Sequence, residues 1–551
     1  MESFNVDNMT FTEAGHLPII KEYAKRISLA DTVDGLVDSQ MELKPGLAVL
    51  AMVVDTLSGR SPLYRLVDFY EGKDIELLLG SDVAAGLFSD DNLGRALDKI
   101  HEVGTQKIFS RIARNALDVF DIDTRKAHFD TTSISVYGNY DLTDPPFTIT
   151  YGHSKDKRPD LKQFLMAMLC VDHNIPVFGA TKDGNASDKT INNELLSNMS
   201  THMATHGLQP GAFVYVADSA FVTPANLEKA REKNITFLTR LPATYKECGS
   251  VIQAAVEADA WIDIGCLAQE VTEKRPQAHY RAFEGTVTLY DVMYRAIVVH
   301  SSAHDKRRSK RIDRLLKTHC AQLEDIVKQA STPFVCRPDA EAAAEKLKAC
   351  GSLYHRIEVD IEAVPRYPRG RPVKGTERIP ERYEYILKTT IHEDPAKVEP
   401  LRAEAGCFVL LTNIEGKQET WSARELLLLY KDQNGIEKNF GFLKDPVIVN
   451  SLFLKKAERI EVLGLVLLIA LLIWRLMEHS MRRYLDQTKG TITGWEGRPT
   501  KKPTSFMMIT KFTSVLLVKA GSSRTLARPF KQVQLEFLRA LNVPPTVFTV
   551  P

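Results

Sequence analysis

The sequence predicts an α/β fold: a mixed sheet with helices on both faces, preceded by an all-helical N-terminal domain and interrupted by a β-rich insertion. Three observations indicate this fold. Apolar residues recur at helical spacing from Leu17 to about Leu117, β-rich segments begin at His128, and α and β elements then alternate up to Thr239.

The helical pattern of the N-terminal domain, residues 1–125, is clearest in Leu17–Ile27, Pro45–Leu57 and Leu93–Ile112. Residues 126–240 form the first part of the α/β core. Its predicted strands are His128–Tyr137, Pro146–Tyr151, Phe164–Val171, Ile175–Gly179, Phe213–Ala217 and Ile235–Thr239. One helix is predicted at Asp188–Met203, and Thr223-Pro224 is expected to begin another.

The insertion is assigned to residues 241–415, where the alternation stops. Its strand-like pieces are Gly285–Val299, Leu353–Val359, Tyr383–Thr389 and Cys407–Leu411, and Asp305–Lys328 is a basic helix. The core resumes over residues 416–490 with long helices at Trp421–Lys444 and Leu454–Leu485. Ser422 and Glu425 have the spacing of a capping box at the start of the first of these helices.

Charge is unevenly distributed along this chain of net charge +1. The C-terminal segment, residues 491–551, has nine Lys/Arg against two Asp/Glu, a net of +7. Such a segment favours a polyanionic partner, nucleic acid or an anionic membrane. The seven scattered cysteines show no zinc or disulfide pattern, and the N-terminus lacks the apolar segment of a signal peptide, so we expect a cytoplasmic protein.

One apolar run, Val462–Trp474, is similar to a membrane span but ends at Arg475. It is shorter than the roughly 20 residues that cross a bilayer. We therefore predict a helix buried inside the protein and no membrane partner.

Three acidic residues have informative settings. Asp130 lies in the first strand of the core, and Asp218 directly follows the strand Phe213–Ala217, where ligands of open α/β sheets bind. Taken singly, each is more simply a solvated aspartate. Glu437 shares one narrow helical stripe with Tyr430, Gln433 and Lys444, a polar set unlike a core face, although a solvated stripe would also explain it.

These residues resemble the insertion-sequence transposases of the DDE class, in the branch with a Tyr-x2-Arg-x3-Glu-x6-Lys signature. Tyr430, Glu437 and Lys444 match that signature, and Gln433 stands where the family has arginine. The segments around the first two aspartates also match, as do two motifs between them. The matching segments are Phe129–Ser133, Gly152–Gln163, Gly184–Asp188 and Val216–Phe221.

The resemblance implies a ribonuclease H-like core with Asp130, Asp218 and Glu437 as catalytic residues and metal ligands. Three crowded carboxylates repel unless cations neutralise them, and hard oxygen ligands suit Mg²⁺ or Mn²⁺. Two ions about 4 Å apart can activate a water or 3′-hydroxyl and stabilise the leaving oxygen. Cleavage and strand transfer are then the same displacement with different nucleophiles.

The resemblance also implies DNA contacts. Tyr430, Gln433 and Lys444 are expected near the terminal nucleotides, although glutamine lacks the bidentate cation of arginine. Lys155, Lys157 and Arg158 are DNA-binding candidates that could equally belong to a solvated loop. In this family context the basic run Lys306–Arg311 is expected to be a DNA-facing helix, with an ordinary solvated face as the alternative. Weaker candidates are Arg369–Pro372, a possible minor-groove hook that is more simply a solvent turn, and Trp261 as a base-stacking residue.

The predicted function is therefore transposition, acting on terminal inverted repeats and target DNA as a homodimer in a synaptic complex associated with the bacterial nucleoid. The alternative is a metal-dependent DNA nuclease on the same fold that cuts without joining, since fold alone does not determine function.

Overall fold

The computed structural model describes residues 9–59, 65–138, 140, 145–205, 212–267, 277–350, 353–370, 377–415, 421–445, 454, 456–521 and 523–551. The chain divides into two compact units. The first unit contains Met1–Thr239 and Leu429–Pro551, and the second contains Arg240–Leu428.

The N-terminal part of the first unit is mostly helical. It contains β1 (Met9–Glu13), α1 (Leu17–Arg26), α2 (Leu29–Leu36), α3 (Pro45–Thr56), α4 (Leu66–Glu71), α5 (Ile75–Leu79), α6 (Asp90–Val103) and α7 (Thr105–Phe120). The predicted all-helical domain is wrong at its start, because β1 is a strand. The predicted helix Leu93–Ile112 is interrupted at Gly104, whose φ of 96° is unfavourable for other residues.

The α/β part follows directly. It contains β2 (Lys126–Val136), β3 (Lys162–Val171), β4 (Ile175–Lys182), α8 (Asp188–Thr205), β5 (Val214–Val216), α9 (Pro224–Glu232) and β6 (Thr236–Arg240). The strand order is β4-β3-β2-β5-β6. β3 pairs antiparallel with β2 and β4, whereas β5 pairs parallel with β2 and β6, so the sheet is mixed as predicted.

Two local predictions in this part have different outcomes. The Thr223 hydroxyl accepts a hydrogen bond from the Asn226 amide at 3.3 Å, which confirms the predicted start of α9. The predicted strand Pro146–Tyr151 is wrong. It contributes only an isolated bridge between Thr150 and Gln163, because β3 already uses its two edges to pair with β2 and β4.

The second unit combines strands and helices. It contains α10 (Lys246–Ala258), β7 (Ile262–Cys266), β8 (His279–Leu289), β9 (Val292–Ser301), α11 (Ser302–Ala330), α12 (Arg337–Cys350), β10 (His355–Arg366), β11 (Arg382–Glu393), α13 (Pro395–Ala403) and β12 (Cys407–Thr412). β12, β9, β8 and β7 follow one another in a sheet, and β10 and β11 form a separate hairpin.

The chain then continues with α14 (Ala423–Asp432), α15 (Asn434–Lys444), α16 (Ala457–Thr488), β13 (Ile492–Thr493), β14 (Pro499–Thr500), α17 (Ser505–Phe512), β15 (Leu516–Ala520), β16 (Ser523–Leu526) and α18 (Gln532–Ala540). The capping box at α14 is confirmed: the Ser422 amide donates to Glu425 Oε2 at 2.8 Å, and the Glu425 amide donates to Ser422 Oγ at 3.3 Å. The single predicted helix Trp421–Lys444 is two helices, with Gln433 between them.

The long apolar helix α16 satisfies the length and composition of a membrane span, but 89% of its apolar window is buried inside the protein. It packs against α3, α6, α7 and β4 of its own unit. The prediction of a buried helix is confirmed, and the surrounding helices explain why all its sides are apolar.

The basic C-terminal segment is integrated into the first unit. β15 pairs antiparallel with β1, from Met9 with Ala520 to Glu13 with Leu516. The guanidinium of Arg524, 1% exposed, contacts Asp74 at 2.6 Å and Glu76 at 2.5 Å. Some of the segment's positive charge is therefore neutralised within the protein.

Candidate active site

Asp130 and Asp218 occupy equivalent positions on neighbouring strands. β2 and β5 are parallel, and their last paired residues are His128 and Val216. Asp130 and Asp218 each follow two residues later. Since parallel strands advance together, the register brings both carboxylates to the carboxyl end of β5, where α/β sheets bind ligands.

The backbone orients both carboxylates. Asp130 Oδ1 accepts a hydrogen bond from the Thr131 amide at 2.7 Å. Asp218 begins the short 3₁₀ turn Ser219–Phe221, and its Oδ1 accepts from the Ala220 amide at 3.1 Å. The Asp218 carbonyl also accepts the Thr239 hydroxyl of β6 at 2.7 Å, which ties the end of β5 to the next strand.

Asp188, the first residue of α8, adds a third carboxylate. Its Oδ1 accepts a short hydrogen bond from the hydroxyl of Thr131, the neighbour of Asp130. Asp188 also repels the negative charges of Asp130 and Asp218. Asp188 ends the Gly184–Asp188 motif, to which the sequence assigned no role, and this motif is the sequence signal that could have identified it.

Lys155 supplies positive charge to this carboxylate cluster of Asp130, Asp188 and Asp218. Its ammonium lies 3.8 Å from Asp130 Oδ1 and 3.5 Å from Asp188 Oδ2. It donates to the carbonyl and hydroxyl oxygens of Thr131 at 2.7 and 2.8 Å. These contacts hold the side chain of Lys155, of which 33% is exposed.

Two glycines allow the loops of Lys155 and Asp188 to approach each other. A Cβ on Gly152 would lie 2.1 Å from the Gly184 carbonyl oxygen, and one on Gly184 would lie 2.0 Å from the Gln163 carbonyl oxygen. The Gln163 amide side chain donates to the Gly184 carbonyl at 2.7 Å. Only residues without a side chain fit this crossing, which explains why each of the two sequence motifs begins with glycine.

The surroundings of Asp130 and Asp218 disfavour the negatively charged form of both carboxyl groups. Burial raises the pKa of Asp130 from 3.8 to about 6; Lys155 and the Thr131 amide oppose this rise, and Asp218 and Asp188 add to it. Burial, followed by repulsion from Asp188, also raises the pKa of Asp218. Carboxylates in this condition gain from a nearby cation.

Carboxylate oxygens are the ligands that Mg²⁺ and Mn²⁺ prefer, so the chemistry of the cluster fits such an ion. Within the ranges that the structure describes, no three His, Cys, Asp or Glu side chains are already arranged as a metal site. Lys155 instead provides positive charge close to two of the three carboxylates.

Glu437 lies on α15 with an exposed side chain. Helix α15 packs on β2 and on α16. Its Asn439 amide nitrogen donates to the Asn174 carbonyl at 2.8 Å, and its Asn439 Oδ1 accepts from Arg475 of α16 at 2.6 Å. These buried contacts hold the helix against the sheet. The assignment of Asp130, Asp218 and Glu437 as one catalytic set stays a prediction.

The predicted DNA contacts lie on two segments of the first unit. Tyr430 is in the last turn of α14, Gln433 follows it, and Lys444 ends α15. The Lys444 ammonium contacts Asp156 Oδ1 at 2.6 Å, which links α15 to the loop that carries Lys155.

The other two cations of that loop are exposed. Lys157 has a left-handed backbone (φ 59°), and Arg158 donates to Asp160 at 2.9 and 2.7 Å. All six DNA-binding assignments remain predictions.

Two weaker candidates belong to the second unit. The guanidinium of Arg281 lies 5.2 Å from the Trp261 ring centre, so one neighbour of this ring is already a cation. Arg369 and Gly370 follow β10, whereas Arg371 and Pro372 of the possible hook lie outside the described residues.

Comparison with known proteins finds similarity to a family model and to solved structures. Residues 9–114 match a family model described as a domain of unknown function, DUF4277. A solved structure of a piggyBac transposase synaptic complex with hairpin DNA is similar over 84% of this chain and 74% of that chain, at 8% identity and a TM-score of 0.36. No curated protein matches.

Proposed function

We propose that this protein is a DNA transposase of the DDE type, which cleaves the ends of a mobile element and joins them to target DNA. One observation carries the proposal: Asp130 within β2 and Asp218 directly after the parallel strand β5 lie at matching positions of the sheet, with pKa values raised by burial and repulsion. The sequence resemblance to insertion-sequence transposases adds the expected order of the motifs. The strand order β4-β3-β2-β5-β6 supports a ribonuclease H-like core.

Asp130 and Asp218 would hold one or two Mg²⁺ or Mn²⁺ ions, with Glu437 or Asp188 as the third carboxylate. When bound, the ions supply charge neutralisation and activation of the attacking oxygen. The chain itself holds Asp130 within β2 and Asp218 directly after β5, and Lys155 reduces the repulsion between Asp130 and Asp188. We propose that Tyr430, Gln433 and Lys444 bind phosphates near the cleaved end, with Lys157 and Arg158 beside them.

The protein would act as a homodimer that brings two element ends together, in the bacterial cytoplasm at the nucleoid. The terminal inverted repeats and the target DNA are its proposed partners. The five proposed domains, including the insertion at residues 241–415, belong to this same proposal.

The test is cleavage and strand transfer on a labelled duplex that carries the element's end, with Mg²⁺. Asp130→Asn and Asp218→Asn should each abolish cutting, as should Glu437→Gln if Glu437 is the third carboxylate. Asp486→Asn, an exposed change on α16, should leave cutting intact. Cutting and joining by the parent protein would support the transposase. Cutting without joining would favour the metal-dependent nuclease.

Asp188→Asn distinguishes the two possible third carboxylates. If Asp188 is the ligand, this variant should lose cutting and Glu437→Gln should retain it. A readout independent of activity is the Mg²⁺ concentration that gives half-maximal stabilisation against urea, which should rise only when a ligand is removed. An unchanged half-maximal Mg²⁺ concentration for Asp130→Asn and Asp218→Asn would contradict the proposed metal site.

A further inference from the structure

Helix α11 of the second unit carries a continuous basic face. At about 100° per residue, six cations fall within roughly 140° of the helix circumference over three turns. This basic face consists of Lys306, Arg307, Lys310, Arg311, Arg314 and Lys317, and every one of these side chains is exposed.

The opposite face of α11 holds the helix in place. Ile312 and Leu316 are buried in an apolar cluster with Val398 and Ala405. Asp313, at the edge of that face, forms an ion pair with Arg402 at 3.0 Å. The helix is therefore fixed by its apolar side, and its cations point away from that cluster.

The basic face has little internal compensation. Across the part of the chain that the structure describes, none of its six cations forms an ion pair with a carboxylate. Arg307 donates only to the backbone carbonyl of Ala303, at 3.3 Å. Like charges three and four residues apart on a helix repel, so the face retains a cost that a polyanion would relieve.

Several other cations of this unit are paired with carboxylates. On α12, Arg337 pairs with Glu341 at 3.0 Å and Lys348 with Glu345 at 2.9 Å. On β11, Lys388 pairs with Glu362 at 2.8 Å. The concentration of uncompensated charge on α11 is therefore a specific feature and not the general condition of the surface.

We propose that the basic face of α11 binds the phosphate backbone of duplex DNA, as a contact surface in addition to the residues around the carboxylate cluster. This inference rests on the proposed function for the identity of the polyanion. From Lys306 to Lys317 the helix rises about 16 Å, a length over which duplex DNA presents roughly ten phosphates.

The face suits phosphates, because each of its six side chains is a cation. It contains no Asn or Gln, the side chains that recognise adenine in the major groove. Long cationic side chains on a fixed helix adapt to backbone charge of any sequence. We therefore expect this surface to add affinity without sequence preference.

The test measures binding of the full chain to a duplex of arbitrary sequence between 0.05 and 0.2 M salt. Neutralising Lys310, Arg314 and Lys317 to Gln keeps the helix propensity and removes three phosphate contacts. The slope of log affinity against log salt should become shallower by about 2.7, so the variant should lose about 40-fold less affinity across this interval.

The matched control is Arg337→Gln/Lys348→Gln/Lys388→Gln, which removes three paired cations from the same unit and should keep the parent slope. A second variant, Arg311→Lys/Arg314→Lys, retains the charge and should also keep it. A shallower slope for the first variant alone supports the proposal. An unchanged slope for the first variant overturns the proposal. The proposal is also overturned if the first variant loses binding to anionic vesicles but keeps its binding to the duplex.

Failure of the proposed function is distinguishable from failure of this inference. If the Asp130 and Asp218 variants do not affect cutting but the basic-face variant still has a shallower slope, the catalytic proposal fails and the DNA surface stands. If those variants abolish cutting but the salt slope is unchanged, the transposase stands and the role of α11 is overturned.

Discussion

Replacing Asp130 with asparagine should stabilise the metal-free protein at neutral pH while it abolishes the proposed catalysis. The Asp130 side chain is 24% exposed, and burial raises its pKa from 3.8 to about 6. Between these two pH values the folded protein binds more protons than the unfolded chain, so its stability falls as pH rises. A shift of this size lowers the free energy of unfolding by about 3 kcal/mol at pH 8 and by about 1.6 kcal/mol at pH 5.

Asparagine cannot ionise, so the variant does not carry this penalty. The unfolding free energy of Asp130→Asn minus that of the parent should therefore increase by about 1.4 kcal/mol from pH 5 to pH 8. Urea unfolding in the presence of a chelator at both pH values measures this difference. Comparing two pH values cancels any pH-independent effect of the substitution, such as an altered hydrogen bond to Thr131.

Asp123→Asn is the matched control. The Asp123 carboxylate bonds to Arg125, and this contact lowers its pKa below 3.8, so its stabilising contribution is lost only as pH falls below that range. Its difference from the parent should be flat between pH 5 and 8. Added Mg²⁺ at ten times its dissociation constant should stabilise the parent by about 1.4 kcal/mol and Asp130→Asn by less.

An equal difference for Asp130→Asn at pH 5 and pH 8 would contradict this prediction. That result would mean that Asp130 titrates at its ordinary pKa in the folded protein. Burial would then not destabilise the ionised carboxylate, and the cluster would have no energetic reason to bind a cation.

Three other substitutions test the surroundings of the site. Gly184→Ala should lower the melting temperature and destabilise the fold by about 2 kcal/mol or more, because its Cβ would meet the Gln163 carbonyl at 2.0 Å, whereas Gly249→Ala, with open space around it, should be neutral or stabilising. Arg475→Met should cost about 3 kcal/mol in urea unfolding, because it leaves Glu478, 4% exposed, without its closer cation; equal stability would contradict this. Lys444→Ala should change stability by no more than about 1 kcal/mol but weaken binding to the element's end, as measured by a gel-shift titration.

Much of the local structure was predictable because it depends on neighbouring residues. The start of α9 follows from the cap at Thr223 and the following proline, and the start of α14 follows from the reciprocal bonds of Ser422 and Glu425. The buried character of α16 follows from an apolar run with no polar side. Each of these features is determined within one or two helical turns.

Parts of the site were predictable only as separate pieces. The position of Asp218 after a buried strand indicated a functional edge of the sheet, but spacing in the sequence does not give the register that aligns it with Asp130. The Lys155 loop and the Asp188 motif are both visible in the sequence, yet their contact with each other depends on the crossing at Gly184. Sequence patterns report periodicity and caps, and they do not report which distant segments touch.

The sequence by itself determined the type and approximate limits of most helices and strands, the order of the acidic motifs and the basic character of α11, because these properties belong to short segments. The tertiary structure alone decided that Asp188 and Lys155 join Asp130, and that β1 pairs with β15 from the other end of the chain. These pairings depend on sheet register and on close packing between segments far apart in sequence. No local propensity encodes those long-range contacts.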